Sequence, residues 1–192
     1  MKKIMMLVFV LMSQIVFAQS QFKTGDVITK EDKLRFLDSL NKYRIEAGVP
    51  PLKYSSQEDS LARLRVMTIF RHIDSIGDVE WKKDIMEAQH YRFSEDIQQY
   101  DKNNVHPDTV LSWQGECTAR IGKLYKIEDL VDELFHGWKN SPAHWELMLD
   151  PTYEYMVLDW FIDNQRHIRL QKGYFSALVL FSKDVNQKRR GL

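Results

Sequence analysis

Between Gly137 and Asp150 the chain reads GWKNSPAHWELMLD, which sets His144 two residues after Pro142 and directly before Trp145. An imidazole titrates near neutral pH and can bind a metal or move a proton, so His144 is the first candidate for chemistry. The alternative is a ring that fills space where a helix stops. The chain has one cysteine, Cys117. A thiolate beside a histidine would be a nucleophile, but a lone cysteine ordinarily behaves as a small buried hydrophobe, and Cys117 reads as a structural thiol. No dedicated helix motif such as H-E-x-x-H is present, so any ligands must be gathered by the fold. His136 projects away from the apolar stripe and reads as a solvated helix-end residue, and the sequence suggests surface or packing roles for His72, His106 and His167. Trp138, Trp145 and Trp160 could line a groove for an apolar or ring-shaped ligand, although Trp138 lies on a helical apolar stripe that points to the core.

These side chains must be positioned by helices that come first and strands that come later. Thr29-Lys30-Glu31-Asp32 has the form of a capping box. Leu34, Leu37, Leu40, Asn41 and Arg44 then recur at helical spacing until Gly48 stops the pattern. Asn41 and Arg44 share the face of Leu37 and Leu40, which predicts buried hydrogen bonding in the scaffold. Pro50-Pro51 requires an extended link. Ser55-Ser56-Gln57-Glu58 predicts a second capping box, with Leu61, Leu64, Thr68 and Phe70 along a helix to about His72. Residues 74–112 give one plausible helix, Trp81 to Ala88, and otherwise read as irregular connection.

The clearest helical series is Ile127, Leu130, Val131, Leu134, Phe135 and Trp138. It must end at Ser141-Pro142, and Pro142 can begin a new short helix carrying His144. Tyr153 to Ile162 and Tyr174 to Phe181 are rich in β-branched and aromatic residues and read as strands. Asp163-Asn164-Gln165 predicts a turn before an alternating segment, His167 to Leu170, and Gly173 a break before the last strand. Helices followed by hairpin strands predict an α+β layered domain with a mostly antiparallel sheet.

The 192 residues suit one domain. Residues 1–18 read as a signal peptide, with Lys2 and Lys3 before an apolar run and Val16-Phe17-Ala18 at its end. Residues 19–32 are an N-terminal lead, 33–184 the domain and 185–192 a basic tail. The chain carries 27 basic and 27 acidic residues. No face-sized excess of Lys and Arg is visible, which argues against nucleic acid as a partner. An exported chain with a single cysteine must be stabilised by its core rather than by an internal disulfide. Export predicts a periplasmic or extracellular location, with no membrane span after the signal is removed.

Four patterns occur in one order: Asn41-Lys42-Tyr43-Arg44 with Gly48-Val49-Pro50-Pro51-Leu52, then Gly115-Glu116-Cys117, then Trp138 to His144, then Tyr153 to Asp159. Together they resemble the CAP superfamily of cysteine-rich secretory, antigen 5 and pathogenesis-related proteins, in its disulfide-free bacterial SCP-like form. There the text runs roughly N-x-x-R, G-x-x-P-L, G-E-N and W-x-x-S-P-x-H. The resemblance covers about residues 33–182. It implies an α-β-α sandwich, a central antiparallel sheet between helical layers, with a cleft lined by two histidines and acidic residues and in some members holding zinc.

By motif matching, Glu116 and His144 carry over as cleft residues. His90, 26 residues before Glu116, is the better match to the first cleft histidine. His90 and His144 would be the zinc ligands, and with Glu116 they would form a set that leaves an open position for water. Two departures matter. Cys117 stands where the family has Asn, and Ser141 stands where animal members place a second glutamate, so the acidic set is incomplete. The resemblance therefore implies first a non-catalytic module whose cleft, with Ser141 and Cys117 beside it, binds a small apolar lipid- or sterol-like ligand or an envelope or extracellular partner. The alternative is a zinc-assisted hydrolase of peptide or cell-envelope material.

Overall fold

The computed structural model describes residues 23, 25–76, 93–103, 111–122, 128–168 and 171–184. In chain order these form helix α1 (Lys30–Glu46), strand β1 (Lys53–Tyr54), a 3-10 turn (Ser56–Glu58), α2 (Asp59–Ile76), α3 (Phe93–Asn103), β2 (Leu111–Gly122), α4 (Leu130–Lys139), α5 (Pro142–Met148), β3 (Tyr155–Ile168) and β4 (Gln171–Asp184).

The first helix begins and ends as its sequence dictates. Thr29 Oγ1 accepts from the Asp32 amide at 3.1 Å and donates to the Asp32 carboxylate at 2.7 Å, which satisfies a donor that would otherwise have no helical partner. At the far end Gly48 has φ +73°, and the Val49 amide donates to Arg44 O while Gly48 N donates to Ile45 O. This is a Schellman closure, which needs a residue free to adopt a left-handed backbone. The buried face is Phe36, Leu37, Leu40 and Arg44, whereas Leu34 is exposed. The second capping box does not form: Ser55 makes no side-chain cap bond, and a 3-10 turn leads into α2. That helix buries Leu61, Ala62, Arg65, Val66 and Ile69 and leaves Leu64 exposed, so its inward stripe is displaced from the one predicted.

The sheet order is β1-β3-β4-β2. β3 and β2 both run antiparallel to β4, and the two-residue β1 adds in parallel at the edge of β3. Side chains alternate between faces along a strand and match across a ladder, so the register sorts the core into two layers. One face presents Met156, Leu158, Trp160 and Ile162 of β3, Val179 and Phe181 of β4 and Cys117 of β2; against it lie Phe36, Leu37 and Leu40 of α1, the α4 stripe and Met148 of α5. The other face presents Val157, Leu180 and Trp113, covered by Leu61, Ala62, Val66 and Ile69 of α2 and by Ile97 and Tyr100 of α3. Helical layers on both faces make the α-β-α sandwich. Burying each large apolar side chain contributes roughly 1.5–3 kcal/mol.

Three readings of the sequence are corrected. Residues 93–103, read as irregular connection, are helix α3. The turn expected at Asp163-Asn164-Gln165 is a register irregularity between Asp163 and His167 inside one long strand, because ladder pairing to β4 continues on both sides of it. Gly173 lies within β4 rather than before it. The helix proposed at Trp81–Ala88 lies outside the described residues. The strongest helical series begins at Leu130, capped by Asp129, whose carboxylate accepts from Val131 N at 2.9 Å and Asp132 N at 3.1 Å.

Candidate functional site

The scaffold residues of the first motif place the third. Arg44 is fully buried, and its guanidinium donates to the carbonyls of Pro50 (2.8 Å), Met148 (2.7 Å), Asp150 (3.1 Å) and Tyr153 (3.1 Å). It therefore ties the end of α1 to the segment that joins α5 to β3, and its positive charge sits at the C-terminal end of α5, where the peptide dipoles favour it. Burial lowers its pKa, an effect that Asp150 partly offsets. Asn41 completes the tie, donating to Leu52 O at 2.9 Å and accepting from Leu52 N at 2.7 Å. Both residues do what the sequence predicted of them.

On α5, Ser141 occupies the N-cap position but makes no cap bond to the helix amides. Its hydroxyl lies 2.8 Å from His144 Nδ1, one helical turn on. Both side chains are half-buried. The backbone carbonyl of His144 lies 4.0 Å from Cys117 Sγ, which fixes α5 against β2. Cys117 is fully buried, and burial, with the Glu116 charge adding to it, pushes its thiol pKa well above the usual range. A thiol held neutral is not a nucleophile, in agreement with the structural role read from the sequence.

Glu116 lies on the opposite face of β2 from Cys117, because it pairs with Leu180 whereas Cys117 pairs with Val179. There its carboxylate meets Arg65 of α2: Nε donates to Oε1 at 3.1 Å, and Nη2 to Oε1 at 2.9 Å and Oε2 at 3.2 Å. Nη1 of the same guanidinium donates to Asp96 of α3 at 2.6 Å, and the group lies over the Phe93 ring, 5.4 Å from its centroid. Arg65 is wholly buried. A charge in that position is tolerable only when paired and hydrogen-bonded, and here two carboxylates supply both.

Two local features of β2 make this arrangement possible. Trp113 pairs with Ser182 and Gly115 with Phe181, so Gln114 is an extra residue that bulges from the ladder. The bulge brings Trp113 to the same face as Glu116, although they stand an odd three positions apart. A Cβ on Gly115 would stand 2.8 Å from Tyr153 Oη and 3.0 Å from Cζ. The glycine of the G-E motif is therefore the space over which the Tyr153 ring lies, stacked on Phe181 at 5.5 Å.

Of the residues predicted for the site, the structure joins Ser141 to His144 and places Cys117 under α5, while Glu116 belongs to a buried ion network on the other face. His90 and His106 lie outside the described residues. His136 is exposed, with Nδ1 2.8 Å from Asp132 O. Trp138 and Trp160 are core residues, Trp138 donating to Thr118 O at 3.1 Å, and Trp145 is half-buried against Tyr43 and Phe135. Among the described residues, no group of three His, Cys, Asp or Glu side chains could hold a metal ion. Of the predicted zinc pair, His90 lies outside the described residues, and Glu116, the carboxylate read beside it, is engaged by the Arg65 guanidinium. Arg65 and Asp96 were missed from the sequence. The signal was present: an arginine lies between Leu61 and Ile69 on the true inward stripe of α2, where a buried cation must find anionic partners.

The CAP profile, described as the cysteine-rich secretory protein family, matches residues 37–157, more than half of the chain. The chain belongs to this family. No curated protein sequence gives a significant match. Among solved structures, it is similar to a cysteine-rich secretory protein from Staphylococcus aureus (22% identity, 80% of this chain and 38% of that one, TM-score 0.42). An outer surface protein from Borrelia burgdorferi is also similar (17%, 83% and 98%, 0.47), as is an extracellular protein containing a SCP domain from Bacillus anthracis (14%, 80% and 40%, 0.42). The chain thus spans well under half of the first and third of these. Among the described residues, no helix is long and apolar enough to cross a membrane.

Proposed function

We propose that this is an exported CAP-domain protein that acts by binding, without catalysis, a small apolar lipid- or sterol-like ligand or an envelope or extracellular partner, through the region around His144. The observation that carries this reading is the Arg65–Glu116 pair. A catalytic carboxylate must be available to take up or give away a proton. Here both oxygens of the family glutamate accept from one guanidinium, which Asp96 anchors in turn, so Glu116 holds α2 and α3 to the sheet. Cys117 is held as a neutral thiol and supplies no nucleophile. Export is supported by the pattern of residues 1–18, and the passage of the chain to the periplasm or beyond follows from it.

The test titrates the purified mature chain with a fluorescent sterol and a fluorescent fatty acid, beside His144→Ala and Glu116→Gln. Saturable binding that His144→Ala weakens and Glu116→Gln spares is the expected result. Absence of saturable binding, together with hydrolysis of a peptide or cell-wall substrate that Glu116→Gln abolishes, would replace this reading with the hydrolase, for which His90 and His144 would be the zinc ligands.

A further inference from the structure

The outward face of α1 carries two apolar side chains that the fold leaves in water. Leu34 is 39% exposed and Ile45 is 63% exposed. They stand eleven residues apart, three turns of an α-helix, so they lie on one line along the cylinder, roughly 16 Å from each other. Asp38 and Lys42, both exposed, fall between them on the same line, at successive steps of four, four and three residues. The buried face of the helix, Phe36, Leu37, Leu40 and Arg44, points the other way. Asp38 and Lys42 enter no hydrogen bond or ion pair with any described residue, whereas the neighbouring cation, Arg35, is held by Asp32 and Asp129. The order of the four side chains is apolar, acidic, basic, apolar, and the reverse order complements it. A second copy of α1 laid antiparallel, with a two-fold axis at the level of residues 39 and 40, sets Leu34 against the partner's Ile45 and Asp38 against the partner's Lys42. Each contact is then made twice, as an isologous interface requires. Opposite charges meet and the apolar ends leave water. The same charges fix the register: a slip of four residues either way sets Asp38 against the partner's Asp38 or Lys42 against the partner's Lys42, and like charges facing each other repel.

We propose that the outward face of α1 is a contact surface for a second copy of this chain, which docks antiparallel across a two-fold axis through Leu34, Asp38, Lys42 and Ile45. It accounts for two large apolar side chains in water at matched positions on the first helix, with two charges of opposite sign between them. One helix pair buries less area than a standard interface, so the dimer is weak and forms with rising concentration, and its register and direction are set by charge.

The test is sedimentation velocity of the full mature chain over a series of protein concentrations at low salt, with circular dichroism to show that each variant is folded. The unsubstituted chain should pass from monomer to dimer as its concentration rises. Asp38→Lys alone and Lys42→Asp alone each make both charge contacts repulsive, and each should raise the dissociation constant of the dimer about tenfold or more. The exchange of both, Asp38→Lys with Lys42→Asp, should restore the dimer. Mixing equal amounts of the two single variants should restore it too, because their faces complement each other and not themselves. All these side chains are exposed, so the fold should survive every change. A parent chain that stays monomeric at the highest concentration reached would overturn the proposal, as would a dimer that the single reversals leave intact or that the exchange fails to restore.

Discussion

Replacing Arg65 by Met tests the interpretation of Glu116 directly. Methionine has a similar reach and can keep its stem against Phe93, so the change removes the charge and its hydrogen bonds while leaving little void. What is lost is the contact of Nη1 with Asp96 at 2.6 Å and of Nε and Nη2 with Glu116 at 2.9–3.2 Å. Two buried carboxylates then remain without their shared cation. Breaking a buried pair in this way costs roughly 3–5 kcal/mol. At about 2–4 °C per kcal/mol for a chain of this size, the melting temperature should fall by roughly 6–20 °C. Glu116→Gln keeps an acceptor for Arg65 and leaves Asp96 in place, so it should cost only about 1–2 kcal/mol. Combining the two changes should cost less than their sum, because once Glu116 is neutral the loss of the Arg65 cation strands one buried charge fewer, with a coupling of roughly 1–3 kcal/mol. Urea unfolding followed by circular dichroism gives all three values, provided that the slope stays constant. An Arg65→Met variant that melts within about 2 °C of the parent, or an additive double variant, would refute the strut role of Glu116.

Three shorter predictions rest on the same geometry. Gly115→Ala forces Cβ against the Tyr153 ring, which is held by Phe181, and should destabilise the chain by roughly 1–3 kcal/mol; denaturant midpoints that do not move would show that the ring yields freely. Burial raises the Asp159 carboxyl to about 6, against the opposing effect of Arg63. Its folded pKa lies above the unfolded value, so its contribution to stability is full below pH ~4 and is lost as pH rises through about 6. Asp159→Asn should therefore remove up to about 3 kcal/mol of pH dependence over that window, and a parallel pair of stability–pH curves would contradict the assignment. Cys117, buried and neutral, should react with a thiol reagent only at the rate of unfolding; rapid labelling of the native chain would mean that the α5–β2 contact opens.

Much of the scaffold is legible because it is written in local chemistry. Thr29, Gly48 and Pro142 mark helix ends through hydrogen bonds and backbone angles that depend on near neighbours, and they fall where expected. The α4 stripe was legible because five large apolar residues recur at one period. Leu34 and Leu64 misled, because a helix with apolar residues on more than one face does not say which face another layer will cover; tertiary contact chose Phe36 and Arg65 instead. The unbroken β3 was not legible either, since Asp163-Asn164-Gln165 carries turn residues and only pairing to β4 holds it in a strand. The site divides in the same way. The order of the motifs established the family, and Ser141 and His144, one helical turn apart, could be joined by their local spacing. That Glu116 and Cys117 face opposite layers follows from strand alternation once β2 is known to be a strand. Which layer each meets, and that Arg65, itself bonded to Asp96, holds the Glu116 carboxylate across 51 residues of sequence, only the packed fold could decide, because the energy of a buried charge depends on what surrounds it rather than on what adjoins it in the chain.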